Sequence, residues 1–245
     1  MPRYATPRKA KRLRGLFVAG TDTGVGKTAL ACGLLRLAAD SGWPLIPFKP
    51  AESGCRNDHP RDAAALRGAA RRLDLALDAI CPFRFEPPVA PAAAARAAGQ
   101  SSLTRSEIRV AAVNIAQTQP LLVESAGGLL SPYAPTWTAA DLAATLELPV
   151  LLIARHALGT INHTALAIHE LARRGLPLLG LLLVTTRRSR GLPQQQNPAL
   201  IESLTGVRPD AIIPYFARPS PARIAAHLHA TGIGARLLRK AGVSS

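Results

Sequence analysis

The run GTDTGVGKT, residues 20–28, constrains this chain more than any other stretch. The apolar residues 16–19 lead directly into it, and beyond Lys27 the positions Leu30, Leu34, Leu35, Leu37 and Ala38 recur at helical spacing. Strand, glycine loop and helix in that order form the setting in which backbone N–H groups close around a phosphate. Gly24 and Gly26 allow the turn. Lys27 is placed to bring a point charge to the terminal phosphates, and the Thr28 hydroxyl suits Mg²⁺. In the common spacing, G-x-x-x-x-G-K-[ST], the first glycine would be residue 21. Residue 21 is Thr, and the glycine stands one place earlier, at Gly20. The cradle is therefore one residue wider than usual but keeps all its working parts.

The rest of the chain repeats the alternation of strand and helix. Short apolar runs predict strands over residues 44–48, 120–123, 150–154, 178–184 and 211–213. Between and after them the pattern predicts helices over 62–80, 103–117, 139–146, 162–174, 198–204 and 224–229, with Gly42 and Gly175 as helix stops. The proline-rich residues 83–91 and the glutamines at 194–196 read as loops. Alternation of this kind implies an α/β fold: a mostly parallel sheet with helices on both faces. The 245 residues suit one such domain, expected over 15–245, behind a flexible basic tail over 1–14.

The formal charge of +15 raises the question of nucleic acid. The basic residues are spread along the chain, and aromatics, which would serve as stacking platforms, make up only 4% of it. A nucleic-acid partner is therefore not expected; an anionic nucleotide or substrate would also benefit from the field. No apolar run is long enough to span a bilayer, and no secretory signal is read at the N-terminus. Cys32, Cys55 and Cys81 show no C-x-x-C spacing. A reduced, cytoplasmic protein without structural zinc is the expectation.

Only Lys9, Lys11, Lys27, Lys49 and Lys240 are lysines among thirty basic residues. In a chain that otherwise uses arginine, a lysine inside a motif points to a specific task. Lys49 closes the second predicted strand, at the sheet edge where ligands gather in open α/β folds. Glu124 ends the apolar run 121–123, as an acid beside a nucleotide's Mg²⁺ does, and Gly127 and Gly128 follow it. Asp62 opens a predicted helix, either as its N-cap or as a second metal ligand. Asn162 and His163 read as helix cap and packing.

Taken together these motifs resemble the dethiobiotin synthetases, phosphate-loop ligases that close a ureido ring. The resemblance covers about residues 16–215. The wide loop GTDTGVGKT is a mark of that family. KPAESG, residues 49–54, is similar to its K-P-x-x-[ST]-G, and Asp62, Ala63 and Leu66 to its D-A-x-x-L. VESAGG, residues 123–128, is similar to V-E-G-A-G-G, and LGTINHT, residues 158–164, to L-G-x-I-N-H-[AT].

The resemblance implies a P-loop NTPase-like fold and a cytoplasmic homodimer acting on 7,8-diaminononanoate, CO₂ and ATP with Mg²⁺. It implies catalytic Lys27 and Lys49, metal ligands Thr28, Asp62 and Glu124, and substrate contacts from Thr23, Lys49, Ser53 and Asn162. The nucleotide would lie against Thr23, Gly24, Val25, Gly26, Lys27, Thr28, Glu124, Val184, Thr185 and Pro214.

Three positions depart from the family pattern. Ser125 replaces a glycine, Ala92 follows Pro91 where His is usual, and Val184 stands where an Asn often reads the adenine edge. An apolar Val cannot make an amide's paired hydrogen bonds, so weak base discrimination is expected. Two alternatives remain open at this stage. One is a partitioning-type switch ATPase, which usually carries an early loop lysine where Thr21, Asp22 and Thr23 stand here. The other is a diverged relative with another substrate or a regulatory role.

Overall fold

A computed structural model describes residues 12–188 and 191–244. Of the basic segment, residues 1–11 fall outside the described residues. Leu13 is buried, and Arg14 donates a hydrogen bond from Nη2 to the Thr118 carbonyl at 2.9 Å.

In chain order the elements are β1 (Gly15–Gly20), α1 (Lys27–Asp40), β2 (Ile46–Phe48), β3 (Ala51–Ser53), α2 (Arg61–Ala69), α3 (Leu77–Ile80), β4 (Phe83–Phe85), α4 (Pro91–Ala97) and α5 (Arg105–Ala116). Then follow β5 (Leu121–Gly128), β6 (Pro132–Ala134), β7 (Trp137–Thr138), α6 (Ala139–Leu146), β8 (Val150–Arg155), α7 (Thr160–Arg173), β9 (Leu178–Val184), α8 (Leu192–Thr205), β10 (Ala211–Ile213), α9 (Pro221–Ala230) and α10 (Ile233–Lys240). A six-stranded sheet runs in the order β10-β9-β8-β1-β5-β2. Each neighbouring pair in it is parallel. Two small two-stranded sheets, β3 with β4 and β6 with β7, stand beside it.

The apolar runs explain the parallel sheet. Strands buried on both faces need apolar residues at every position. In β1, Phe17 and Ala19 face one core, and Leu16 and Val18 face the other. Helices α5, α6 and α7 cover the first face, while α1, α9 and α10 cover the second. The second face packs tightly. A Cβ placed on Gly33 of α1 would lie 2.3 Å from Cγ2 of Ile224 in α9, and one on Gly234 of α10 would lie 2.4 Å from Leu37. Only glycine admits such an approach.

The element predictions need several corrections. The strand expected over 120–123 runs on through Glu124 to Gly128, and the short strands β3, β6 and β7 were not foreseen. Residues 62–80 are not one helix: α2 ends at Ala69, Arg71 takes a left-handed φ of 53°, and a short α3 follows. Residues 83–91 are not all loop, because Phe83–Phe85 pair with Ala51–Ser53 before the first proline is reached. Pro91 starts α4, where its missing N–H is no loss. Residues 194–196 lie inside α8, which begins at Leu192 rather than 198. Pro198 cannot donate to the Gln194 carbonyl, and the Nε2 of His156 takes that acceptor at 2.9 Å. A final helix, α10, follows α9 and was not foreseen.

Candidate functional site

The wide loop turns as its glycines require. Gly24 has φ 68° and Gly26, the N-cap of α1, has φ 102°. Lys27 folds back and donates from Nζ to the Asp22 carbonyl at 3.0 Å. Arg155, at the end of β8, donates from Nη2 to the Thr23 carbonyl at 3.3 Å. The loop backbone is thereby held from both sides.

Strands β1 and β5 pair with Val18 opposite Glu124, which brings this acid beside the start of α1. Thr28 donates from Oγ1 to Glu124 Oε1 at 2.7 Å. Lys49, immediately after β2, donates from Nζ to the same oxygen at 2.6 Å. Its ammonium also lies 3.0 Å from Asp62 Oδ2. Residues from four separate segments thus meet at one point.

Burial sets the electrostatics. It opposes the charge on Lys49, but Glu124 and Asp62 outweigh it and hold the ammonium above its ordinary range. Lys27 has weaker compensation. Burial and the neighbouring Lys49 lower it to about 8. Burial raises the Cys32 thiol to about 12 and the Tyr133 phenol to about 12, so neither is a nucleophile near neutrality.

These groups line a cleft of about 600 Å³, shared by Thr23, Gly24, Gly26, Lys27, Thr28, Lys49, Ser53, Asp62 and Glu124. Three atoms in this region are enclosed without a hydrogen-bond partner: Glu124 Oε2, Ser53 Oγ and Ser125 Oγ. A buried polar atom left unpaired is expensive unless a ligand completes it. Among the described residues no group of three or more His, Cys, Asp or Glu side chains could hold a metal by itself. One hydroxyl and two carboxylates beside a phosphate cradle do fit Mg²⁺, whose shell is completed by substrate phosphates and water. The orphaned Glu124 oxygen and the hard oxygen donors make that fit.

A smaller cavity, about 190 Å³, adjoins at Gly26 and is walled by Val184, Thr185, Ile213, Pro214 and Tyr215, among others. A Cβ on Gly26 would lie 2.9 Å from Val184 Cγ1, so the valine leans on the loop itself. A second cleft, about 410 Å³, shares Thr23 and Ser131 with the first and has His163 in its wall.

Most of the residues singled out in the sequence therefore come together around one cleft and its annex. Val25 is buried beneath the loop rather than in the cleft wall. Asn162 is exposed on the first turn of α7 and stands in the wall of neither of these two clefts. Neither Asp62 nor Asn162 caps its helix: the N-caps are Pro60 and Gly159. The sequence reading missed Glu52, which lines the main cleft while its carboxylate accepts from the Asp62 and Ala63 N–H groups. It also missed Tyr133, whose Oη accepts from the Ala126 N–H at 2.8 Å and so fixes the segment after Glu124. Its place inside the KPAESG motif was the only signal available for Glu52. Tyr133 carried none.

An AAA domain family model matches residues 14–223. The chain is 47% identical over 203 residues to the ATP-dependent dethiobiotin synthetase BioD of Anaeromyxobacter dehalogenans (strain 2CP-C), covering 83% of this chain and 91% of that one. It is 33% identical over 204 residues to the enzyme of the same name from Bacillus thuringiensis (strain Al Hakam), covering 83% and 84%. Among solved structures it is similar to a ParA family ATPase from Chlorobium tepidum TLS, with a TM-score of 0.52 at 12% identity over 94% of this chain and 93% of that one. It is also similar to the MinC:MinD cell division protein complex of Aquifex aeolicus, with a TM-score of 0.57 at 10% identity over 93% and 94%. The structural likenesses establish the P-loop ATPase fold alone. The extended sequence identity goes further: this chain belongs to the dethiobiotin synthetase family.

Proposed function

We propose that this protein is an ATP-dependent ligase of biotin synthesis that converts 7,8-diaminononanoate and CO₂ into dethiobiotin. The observation that carries the reading is the meeting of Lys49, Asp62, Glu124 and Thr28 at the mouth of the phosphate loop. Support also comes from the relatives named as ATP-dependent dethiobiotin synthetases.

In the proposed reaction one amine adds to CO₂, loses a proton and becomes a carbamate. A carbamate oxygen attacks the terminal phosphorus of ATP, and ADP leaves. The second amine then attacks the carbonyl carbon, phosphate departs and the ring closes. No enzyme nucleophile is needed, which agrees with the inert, buried cysteines.

Lys27 and the loop N–H groups orient the triphosphate. Lys49 sits where it can neutralise the carbamate and the transferring phosphoryl group, and Thr23 and Ser53 hold the diamine side. Thr28, Asp62 and Glu124 would hold Mg²⁺, which when bound supplies charge neutralisation to the phosphates. The protein's contribution is positioning and electrostatic stabilisation.

The apolar annex beside Gly26 would receive the base. We also read a homodimer: Leu130 and Leu166, 54% and 62% exposed, both line the second cleft, where a partner copy would cover them. Light scattering during gel filtration tests that point.

Phosphate release with ATP, Mg²⁺, diaminononanoate and bicarbonate tests the function. Wild type should turn over only with the diamine present, and Lys49→Ala should lose nearly all of that turnover. ATP hydrolysis indifferent to the diamine but stimulated by DNA would overturn the reading in favour of a partitioning-type ATPase.

A further inference from the structure

Helix α2 lacks a side-chain cap of its own. Its N-cap is Pro60, and no side-chain hydrogen bond is made there. By contrast α5 and α9 are capped by Thr104 and Ser220 at their own starts. The first-turn N–H groups of α2 are met instead from a different element. Glu52, on β3, accepts from the Asp62 N–H at 2.9 Å and from the Ala63 N–H at 3.0 Å. Glu52 is only 6% exposed, and it belongs to the wall of the main cleft. It occupies a position to which the motif K-P-x-x-[ST]-G assigns no residue type.

A buried carboxylate is an expensive cap when a local Ser or Thr would serve. What it achieves beyond capping is a fixed spacing between β3 and α2. An anion at a helix N-terminus gains from the aligned dipole and from charge-assisted bonds, so the link is firm. Asp62 needs such a link. Its side chain is 40% exposed and touches Lys49 at 3.0 Å, so its placement depends on its backbone.

We propose that Glu52 is a positioning residue: by gripping the first turn of α2 it sets where the Asp62 carboxylate stands relative to Lys49, Glu124 and the bound metal. The proposal rests on the reading of Asp62 as a metal ligand.

The test is Mn²⁺ binding to the full chain with a non-hydrolysable ATP analogue, followed by the electron paramagnetic resonance of free Mn²⁺. The proteins are wild type, Glu52→Gln, Glu52→Ala, Asp62→Ala and the Glu52→Ala/Asp62→Ala double variant. Loss of an outer-shell partner typically weakens metal binding by about tenfold or more, and that is expected of Glu52→Ala. Glu52→Gln, which keeps one acceptor, should fall between. Once Asp62 is gone, removing Glu52 should change the affinity by less than about twofold, because its effect travels through that residue.

Amide exchange in the ligand-free chain should quicken at Asp62 and Ala63 in Glu52→Ala while β1 and β5 stay protected.

Additive losses in the double variant would overturn the proposal, as would wild-type Mn²⁺ affinity in Glu52→Ala alongside a weakened Asp62→Ala. Unchanged affinity in Asp62→Ala would remove both the ligand assignment and this inference. If Glu52→Ala fails to fold, the same cycle with Glu52→Gln decides the matter.

Discussion

Lys49 Nζ stands 2.6 Å from Glu124 Oε1, with the two side chains 4% and 0% exposed. Removing one member of such a pair strands the other charge in the interior, at about 3–5 kcal/mol, whereas neutralising both can be nearly free. Lys49→Met should therefore lower stability by several kcal/mol. Adding Glu124→Gln to it should restore much of the loss without restoring turnover. Urea unfolding of the two single variants and the double variant measures this; a double variant less stable than either single would refute it.

Thr28 reaches the same oxygen from the helix side. Thr28→Ala should raise the Mg²⁺ concentration needed for half-maximal turnover by about tenfold, and Thr28→Ser should stay near wild type, because only the hydroxyl is at issue. A magnesium titration indifferent to Thr28→Ala would show the metal assignment to be wrong.

Val184 lies in the wall of the cavity beside Gly26, which in the proposed function would receive the base. Apolar walls discriminate weakly between ligands of similar shape. Steady-state kcat/KM for ATP, GTP and CTP should lie within about tenfold of one another, and Val184→Asn should widen the gap. A wild-type preference of several hundredfold for ATP would contradict this.

Asp141 ties α6 to α7 by accepting from the Thr138 hydroxyl and N–H and from Arg174, each at 2.8 Å. Burial works against its charge, but these partners prevail and hold its carboxyl below the usual range. A depressed carboxyl stabilises the fold fully above the unfolded pKa of about 3.9 and ceases to do so as pH falls through the lower folded value. Asp141→Asn should therefore reduce stability by about 1–2 kcal/mol at pH 7. The deficit should shrink below about pH 4, as thermal melts across that range would register. A deficit that grows with acidity would contradict the assignment.

Much of the site could be read in advance because its chemistry restricts residue type. The glycine loop, the scarce Lys49 and Glu124 at the end of its apolar run each stood in a recognisable local pattern, although β5 in fact runs on through Glu124 to Gly128. What escaped notice depends on contacts between distant segments. Glu52 drew no reading of its own from the sequence, because its role depends on α2 starting against it. Asp62 could be read as a cap or a metal ligand; the first-turn N–H groups are in fact met by Glu52 from β3. The break after Ala69 rests on Arg71 adopting φ 53°, which residue type does not announce. Helix α8 runs through Pro198 because His156, forty-two positions earlier in the chain, satisfies the carbonyl that the proline leaves free. Hydrophobic periodicity sees none of these long-range substitutions.

The family match stops at residue 223, one position before the Ile224 that presses on Gly33. The last two helices thus brace the back of α1, whose front end closes the glycine loop. Trimming the chain at the edge of the recognised region would leave every residue proposed to act in the site in place and remove the buttress behind them. Nucleotide affinity would then fall through loosening of α1.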